Sequence, residues 1–191
     1  MEATLPVPRG KCATIAADAG NDEMMTRDDL LTAFGDEHHR LLHALDGLDH
    51  RRMTGETLPG SGWTVQDILG NIVAWEEYVA GAICHLISNP QEPLPLLNHQ
   101  AWRAEQVALC RRRPLAEVMS QMYRVRQETC ALVAELTDEE LHTPRQAWLS
   151  DRIKDACRGK PITVAEILEM FLADCRAYRQ TIERWRAERH L

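Results

Sequence analysis

Apolar residues recur at three- and four-residue steps in four separate stretches of the chain, and that period is the signature of amphipathic helices. Leu30, Leu31, Phe34, His38, Leu41, Leu42, Leu45 and Leu48 trace one face of a helix predicted over about Arg27–Leu48. Thr26 can cap it, with Asp29 at the third helical position closing a capping box. Gly35 inside this helix weakens it by up to ~1 kcal/mol relative to alanine, and close packing is one reason for a glycine there. The second helix opens after Thr64, with Asp67 as the return half of another box. Its stripe is Val65, Ile68, Ile72, Trp75, Val79, Ile83 and Leu86, and it stops before Pro90. The third begins at Pro114, a residue suited to the first helical position, and carries Leu115, Val118, Met122, Val125, Leu132 and Leu136. The last is capped by Thr163 and Glu166 and lines up Val164, Ile167, Leu168, Phe171, Cys175, Tyr178, Ile182 and Trp185.

The connections carry weaker signals. A polar, Gly/Pro-containing stretch runs through Gly62. Pro90, Pro93 and Pro95 stiffen the next connection, and a short amphipathic helix is predicted from His99 to Cys110. Thr137 starts a short turn or helix with Asp138, Glu139 and Glu140, and the region 142–162 reads as irregular. Residues 1–24 hold no apolar period and read as a flexible leader before a domain over 25–191. Strand alternation is nearly absent. Four striped helices can bury their faces together. The expectation is an all-α, antiparallel four-helix bundle with a short accessory helix between the second and third long helices.

Composition narrows the function. The 191-residue chain is 45% hydrophobic, which suits one domain with a full core. No apolar stretch approaches the ~20 residues that cross a bilayer, and the start lacks the pattern of a signal peptide, so a cytoplasmic protein without membrane contact is expected. A formal charge of −7 disfavours general nucleic-acid binding. Arg111, Arg112 and Arg113 read as a solvated face before a helix, with an anion contact as the alternative. The six cysteines form no CxxC pair. Cys84, Cys130 and Cys175 fall in helical patterns and read as small buried hydrophobes. No HExxH motif, G-x-S-x-G elbow, phosphate loop or dinucleotide fingerprint occurs.

The second helix carries Trp63-Thr64-Val65-Gln66-Asp67-Ile68-Leu69 and then Asn71-Ile72-Val73-Ala74-Trp75-Glu76. This stretch resembles the W-[ST]-V-x-D-[IVL]-L-x-H-[IVL]-x-x-W-E motif of the DinB-like superfamily. Asn98–Trp102, Arg113-Pro114-Leu115 and Thr163–Leu168 support the likeness, which spans roughly residues 25–188. Within the superfamily the chain is similar to ClbS/DfsB-like four-helix bundle proteins. The resemblance implies, for many members, three histidines around a divalent metal, one from helix two and two from helix four. Here the helix-two position is Asn71, and the matching helix-four positions are Met170, Asp174 and Tyr178. An asparagine amide is a poor replacement for a histidine nitrogen, so no metal and no other cofactor is expected. The ClbS/DfsB branch implies a metal-independent self-protection, or resistance, protein. Its best-known type inactivates a reactive DNA-damaging natural product by opening a strained electrophilic ring with water. Asn71 also departs from the tyrosine of that type.

Helical phase lets Glu37, His38, Asn71, Asp174 and Tyr178 share a polar chamber. Asp174 is a candidate general base or water-orienting group, and Tyr178 and Asn71 are candidate hydrogen-bonding groups. These three form the candidate catalytic set. His38, Trp75, Tyr78 and Trp102 are candidate substrate-binding residues, the aromatics as apolar walls. The plainer reading is a set of satisfied polar groups at the rim, with Trp75 and Trp185 as packing anchors. His85, His99, His142 and His190 read as isolated surface or connector groups. Three functions follow from this reading. The first is metal-independent binding or hydrolytic inactivation of an apolar, reactive small molecule. The second is a non-enzymatic bundle that binds a small molecule or a protein. The third is a divalent-metal-dependent transferase or isomerase. Homodimerisation is compatible with exposed helix faces.

Overall fold

In a computed structural model the described residues are 25–89, 96–145 and 150–190, so the expected leader at 1–24 lies outside them. The elements are α1 (Arg27–Leu45), α2 (His50–Gly55), α3 (Val65–Ser88), α4 (His99–Cys110), α5 (Leu115–Glu135), α6 (Asp138–His142), α7 (Asp151–Ala156) and α8 (Val164–Glu188). Among the described residues the only strand-like pairings are isolated bridges such as Thr57 with Thr64. The capping boxes form as the sequence suggests. Thr26 with Asp29, Thr64 with Asp67 and Thr163 with Glu166 each exchange both hydrogen bonds at the starts of α1, α3 and α8. Each box satisfies amides that have no partner inside the helix.

The long helices α1, α3, α5 and α8 make the bundle, packed in the ring α1–α8–α3–α5. Their directions follow from side-chain partners. Phe34 meets Phe171, and further along both helices Arg186 donates to the carbonyl of Ala44, so α1 and α8 run the same way. Gln66 donates to the carbonyl of Arg113 and Glu77 meets Arg124, so α3 and α5 also share a direction. Asn71 meets Tyr178, while Arg145, bridged to Ile162 just before α8, donates to the carbonyl of Leu86 near the end of α3. The two pairs are therefore antiparallel to each other. The first two long helices lie on a diagonal, and the connections between the long helices span the bundle rather than making tight hairpins. The core holds Leu30, Phe34, Ile68, Ile72, Val118, Met122, Val125, Phe171 and Ile182, each almost fully buried. Each such side chain contributes about 1.5–3 kcal/mol relative to exposure.

Several expectations change. α1 ends at Leu45 rather than Leu48, because Asp46 leaves the helical region and Gly47 takes a φ of +75°. The connection after it contains α2, capped by Asp49. Pro114 is the cap residue of α5, not its first helical residue. The stretch 142–162 includes α7, capped by Ser150. Cys84 is exposed, whereas Cys175 is buried as expected. A Cβ at Gly35 would meet nothing within 4 Å, so close packing does not explain that glycine. Gly70 is the crowded one. A Cβ there would lie 2.6 Å from the Cβ of Cys110 and closer still to its sulfur, so α4 docks directly on the backbone of α3.

Four hydrogen bonds also secure the end of α4. Gln66 donates to the carbonyls of Cys110 and Arg113. Arg111 makes a two-pronged ion pair, at 3.0 and 2.8 Å, with the fully buried Asp67. Arg111 is exposed, as a solvated face requires, while its guanidinium also holds Asp67, and Arg113 pairs with Glu117. No described helix is long and apolar enough to cross a membrane.

Candidate functional site

Two turns into α3, Asn71 is 2% exposed and points toward α8, where its amide donates to the Tyr178 hydroxyl at 3.1 Å. Its carbonyl oxygen is buried and has no hydrogen-bond partner among the described residues. The two positions drawn together by helical phase therefore do meet. Asp174, one turn before Tyr178, is held from the side by both terminal nitrogens of Arg152 in α7. Trp63 stacks beside Tyr178, with ring centroids 6.4 Å apart and planes 20° from parallel. The Arg103 guanidinium lies over both rings, its carbon 4.6 Å from the Trp63 centroid and 5.9 Å from that of Tyr178. Burial pushes the Tyr178 phenol up, with Arg103 opposing the shift, so Tyr178 is a proton-bearing donor at neutral pH.

One turn beyond Asn71 an aromatic wall continues the site. Trp75 stacks on Tyr78 at 5.4 Å and meets Trp102 edge-on at 5.5 Å. His99 at the first position of α4 packs edge-on against Trp75 at 4.8 Å. Its backbone amide donates to Asp151, which places α4 against the start of α7. His99 is 7% exposed and packed, rather than the isolated surface or connector group that the sequence suggested. Burial, then the charges of Arg152 and Arg103, hold its imidazole down at about 4, with Asp174 and Asp151 opposing. The ring is therefore neutral at pH 7.

The remaining chamber candidates lie elsewhere. Glu37 is 3% exposed and accepts a 2.7 Å hydrogen bond from the Nε of Arg179, so its work is to tie α1 to α8. His38 faces α5, where its ring meets Tyr123 edge-on at 5.2 Å. Its contact is thus on the α1–α5 side and not with the Asn71–Tyr178 pair. Burial, followed by the charge of Arg126, lowers its affinity for a proton.

A second buried polar group sits in the bundle core. Glu76 is 1% exposed, and its Oε2 lies 3.0 Å from an Arg126 nitrogen. The Arg126 guanidinium lies over the Phe34 and Phe171 rings at 4.9 and 5.6 Å. Burial drives the Glu76 carboxyl up to about 7, against the attraction of Arg126 and hydrogen bonding from Thr129 and Arg126. The Cys175 thiol is fully buried and raised far above its ordinary range by that burial.

The resemblance implies a metal between the second and fourth long helices in many members. Asn71 offers a neutral amide, Tyr178 retains its proton and Asp174 is already bound by a guanidinium. No group of three His, Cys, Asp or Glu side chains poised for a metal occurs among the described residues. Two arginines supply the positive charge here. This donor set does not fit a divalent cation. Sequence reasoning missed Trp63, His99, Arg103 and Arg152 as parts of this site. A signal for Arg103 existed, since it follows Trp102 on a short amphipathic helix. Nothing local marked Arg152.

Comparison with solved structures shows the same fold. YfiT from Bacillus subtilis, described as a probable metal-dependent hydrolase with an unusual four-helix bundle topology, superposes with a TM-score of 0.69 at 12% identity. That alignment covers 90% of this chain and 93% of YfiT. An uncharacterized protein from Clostridium difficile gives 0.68 at 14% identity, over 85% and 96% of the two chains. A mycothiol-dependent maleylpyruvate isomerase gives 0.62 at 16% identity, over 83% of this chain and 61% of the isomerase. A sequence comparison with curated proteins gives no match. The family model of the DinB superfamily matches residues 33–182. With the four-helix frame and the helix-two motif in place, the chain belongs to the DinB superfamily.

Proposed function

We propose that this protein binds an apolar, reactive small molecule without a metal and inactivates it by adding water, as its resemblance to ClbS/DfsB-type self-protection proteins implies. The observation that carries the reading is the Asn71–Tyr178 hydrogen bond at 3.1 Å, set beside the Asp174–Arg152 pair and the wall of Trp75, Tyr78 and Trp102. Hydrogen-bonding groups and fixed charges stand at Asn71, Asp174 and Tyr178, where the resemblance implies metal ligands in many members.

The chemistry assigns each residue a task. The aromatic wall holds the body of the ligand and excludes water from its far side. Asp174 accepts from Arg152 and keeps lone pairs free for a water hydrogen. The water oxygen bonds to the electrophilic carbon as the strained ring bond breaks. One water proton passes to Asp174, and then to the atom that leaves with the bonding electrons. Tyr178 donates a hydrogen bond to the charge that develops there. Asn71 holds the Tyr178 hydroxyl in place.

The test uses tag-free protein, an aryl epoxide in 18O-labelled water and product analysis with and without chelator. The expected result is labelled diol formed at equal rates in both, and a large loss in Asp174→Asn. Unchanged turnover in folded Asp174→Asn removes the role of Asp174. Ligand capture without product supports a binding module instead. The competing metal-dependent hydrolase or isomerase reading draws on what two structural neighbours are described as. Stoichiometric zinc or nickel that is lost in Asp174→Asn would establish it.

A further inference from the structure

We propose that the ligand of this site carries a carboxylate on an aromatic or otherwise planar body, received by Arg103. The inference rests on the small-molecule reading above and adds one carboxylate to the ligand's otherwise apolar body. Arg103 makes no ion pair with any described residue. Its Nε is buried without a hydrogen-bond partner, while the residue as a whole remains partly exposed. Arg152, by contrast, spends its two terminal nitrogens on Asp174. The guanidinium carbon lies 4.6 Å from the Trp63 centroid and 5.9 Å from that of Tyr178, and a guanidinium with no ion-pair partner is the group that binds a carboxylate with two parallel hydrogen bonds.

The surroundings agree. Neither neighbouring titratable ring adds negative charge, since Tyr178 keeps its proton and His99 is neutral. Arg152 and Arg103 both disfavour a proton on His99, with Asp174 and Asp151 opposing them. The buried Asn71 carbonyl oxygen is a second polar group without a partner beside Tyr178, and its chemistry suits an N–H or O–H donor. An apolar body with no acidic or hydrogen-bonding group on it would leave both groups unmet.

Calorimetric titration of the full chain with 2-naphthoate and with its neutral isostere 2-naphthamide tests this. The acid is expected to bind about tenfold or more tightly than the amide, the size of a charge-assisted bidentate contact, and the gap is expected to shrink with added salt. Arg103→Gln should close the gap, Arg103→Lys should recover part of it, and the exposed Arg112→Gln should leave it unchanged. Equal binding of acid and amide by the wild-type chain overturns the carboxylate inference while leaving a small-molecule site standing. A gap that persists in folded Arg103→Gln overturns the role of Arg103. Absence of saturable binding by either probe overturns the inference as well. The wild-type comparison of acid with amide decides the matter even if the Arg103 variants do not fold.

Discussion

Replacing Glu76 by glutamine should stabilise the protein above neutral pH, although it breaks a buried ion pair. Two effects compete. Removing one partner of a buried pair commonly costs about 3–5 kcal/mol, because the other charge is left uncompensated. Against this, the Glu76 carboxyl is raised from 4.5 to about 7, with burial as the largest cause and Arg126 second. Desolvation therefore outweighs the attraction. A carboxyl whose folded value is raised contributes stability that is complete below its unfolded value and lost as pH rises through the folded one. For Glu76 that window runs from 4.5 to about 7. At 1.36 kcal/mol per unit, the loss between pH 5 and pH 8 is about 2.5 kcal/mol. Glutamine resembles the protonated acid and does not suffer it.

Urea unfolding of both proteins across pH 5–8 gives the relevant quantity, which is the difference between them. The wild-type profile alone does not isolate Glu76, because His99 acts with opposite sign over part of the same range. The expected result is a difference that moves toward Glu76→Gln by about 2.5 kcal/mol as pH rises. A variant that becomes progressively less stable than wild type over this range would show that the Arg126 attraction wins, and would refute the reasoning.

Other consequences are simpler to read. The His99 imidazole, held at about 4 against an ordinary 6.5, should stay neutral in NMR titrations until well below pH 5, and stability should fall as pH drops from 6.5 through that value. A His99 titration near 6.5 would contradict the burial seen here. Gly35→Ala should raise stability by about 0.5–1 kcal/mol, because the helix gains propensity and the added methyl meets nothing; thermal unfolding measures it. Gly70→Ala should cost about 1–3 kcal/mol through collision with Cys110, and wild-type stability in that variant would mean that α4 shifts without penalty.

What the sequence made legible follows from the range of each interaction. The long helices, their stripes and three of their capping boxes rest on neighbours a few residues apart, and they appear where local pattern puts them. The short α2 and α7 have six residues each, too few for a readable stripe, and their stability comes from the bundle beneath them. The Asn71–Tyr178 contact was legible because helical phase pointed both inward and the bundle joined them across 107 residues. His38 shows the limit of that argument. Its phase was inward too, but the ring order α1–α8–α3–α5 sets α1 diagonal to α3 and turns it toward Tyr123. His99, Arg103 and Arg152 depend on how α4 and α7 dock, and no local period records that.

The same dependence on docking determines what would restore a metal to this frame. Asn71→His returns the helix-two donor that the superfamily resemblance calls for, yet it should not by itself recruit zinc. Tyr178 would still hold its proton, because burial sets it. Asp174 would still be gripped by Arg152. A dication entering beside Arg103 would meet like charge in a site with little water to screen it. Metal analysis of purified Asn71→His is therefore expected to show no zinc above the wild-type level, whereas pairing it with Arg152→Ala and Tyr178→His should bring zinc in by freeing one carboxylate and supplying a second imidazole. Stoichiometric zinc in the single variant would show that the guanidinium groups move aside readily. The fixed positive charge assigned to this site would then not be fixed at all, and Arg103 would lose its place as the ligand's counter-ion.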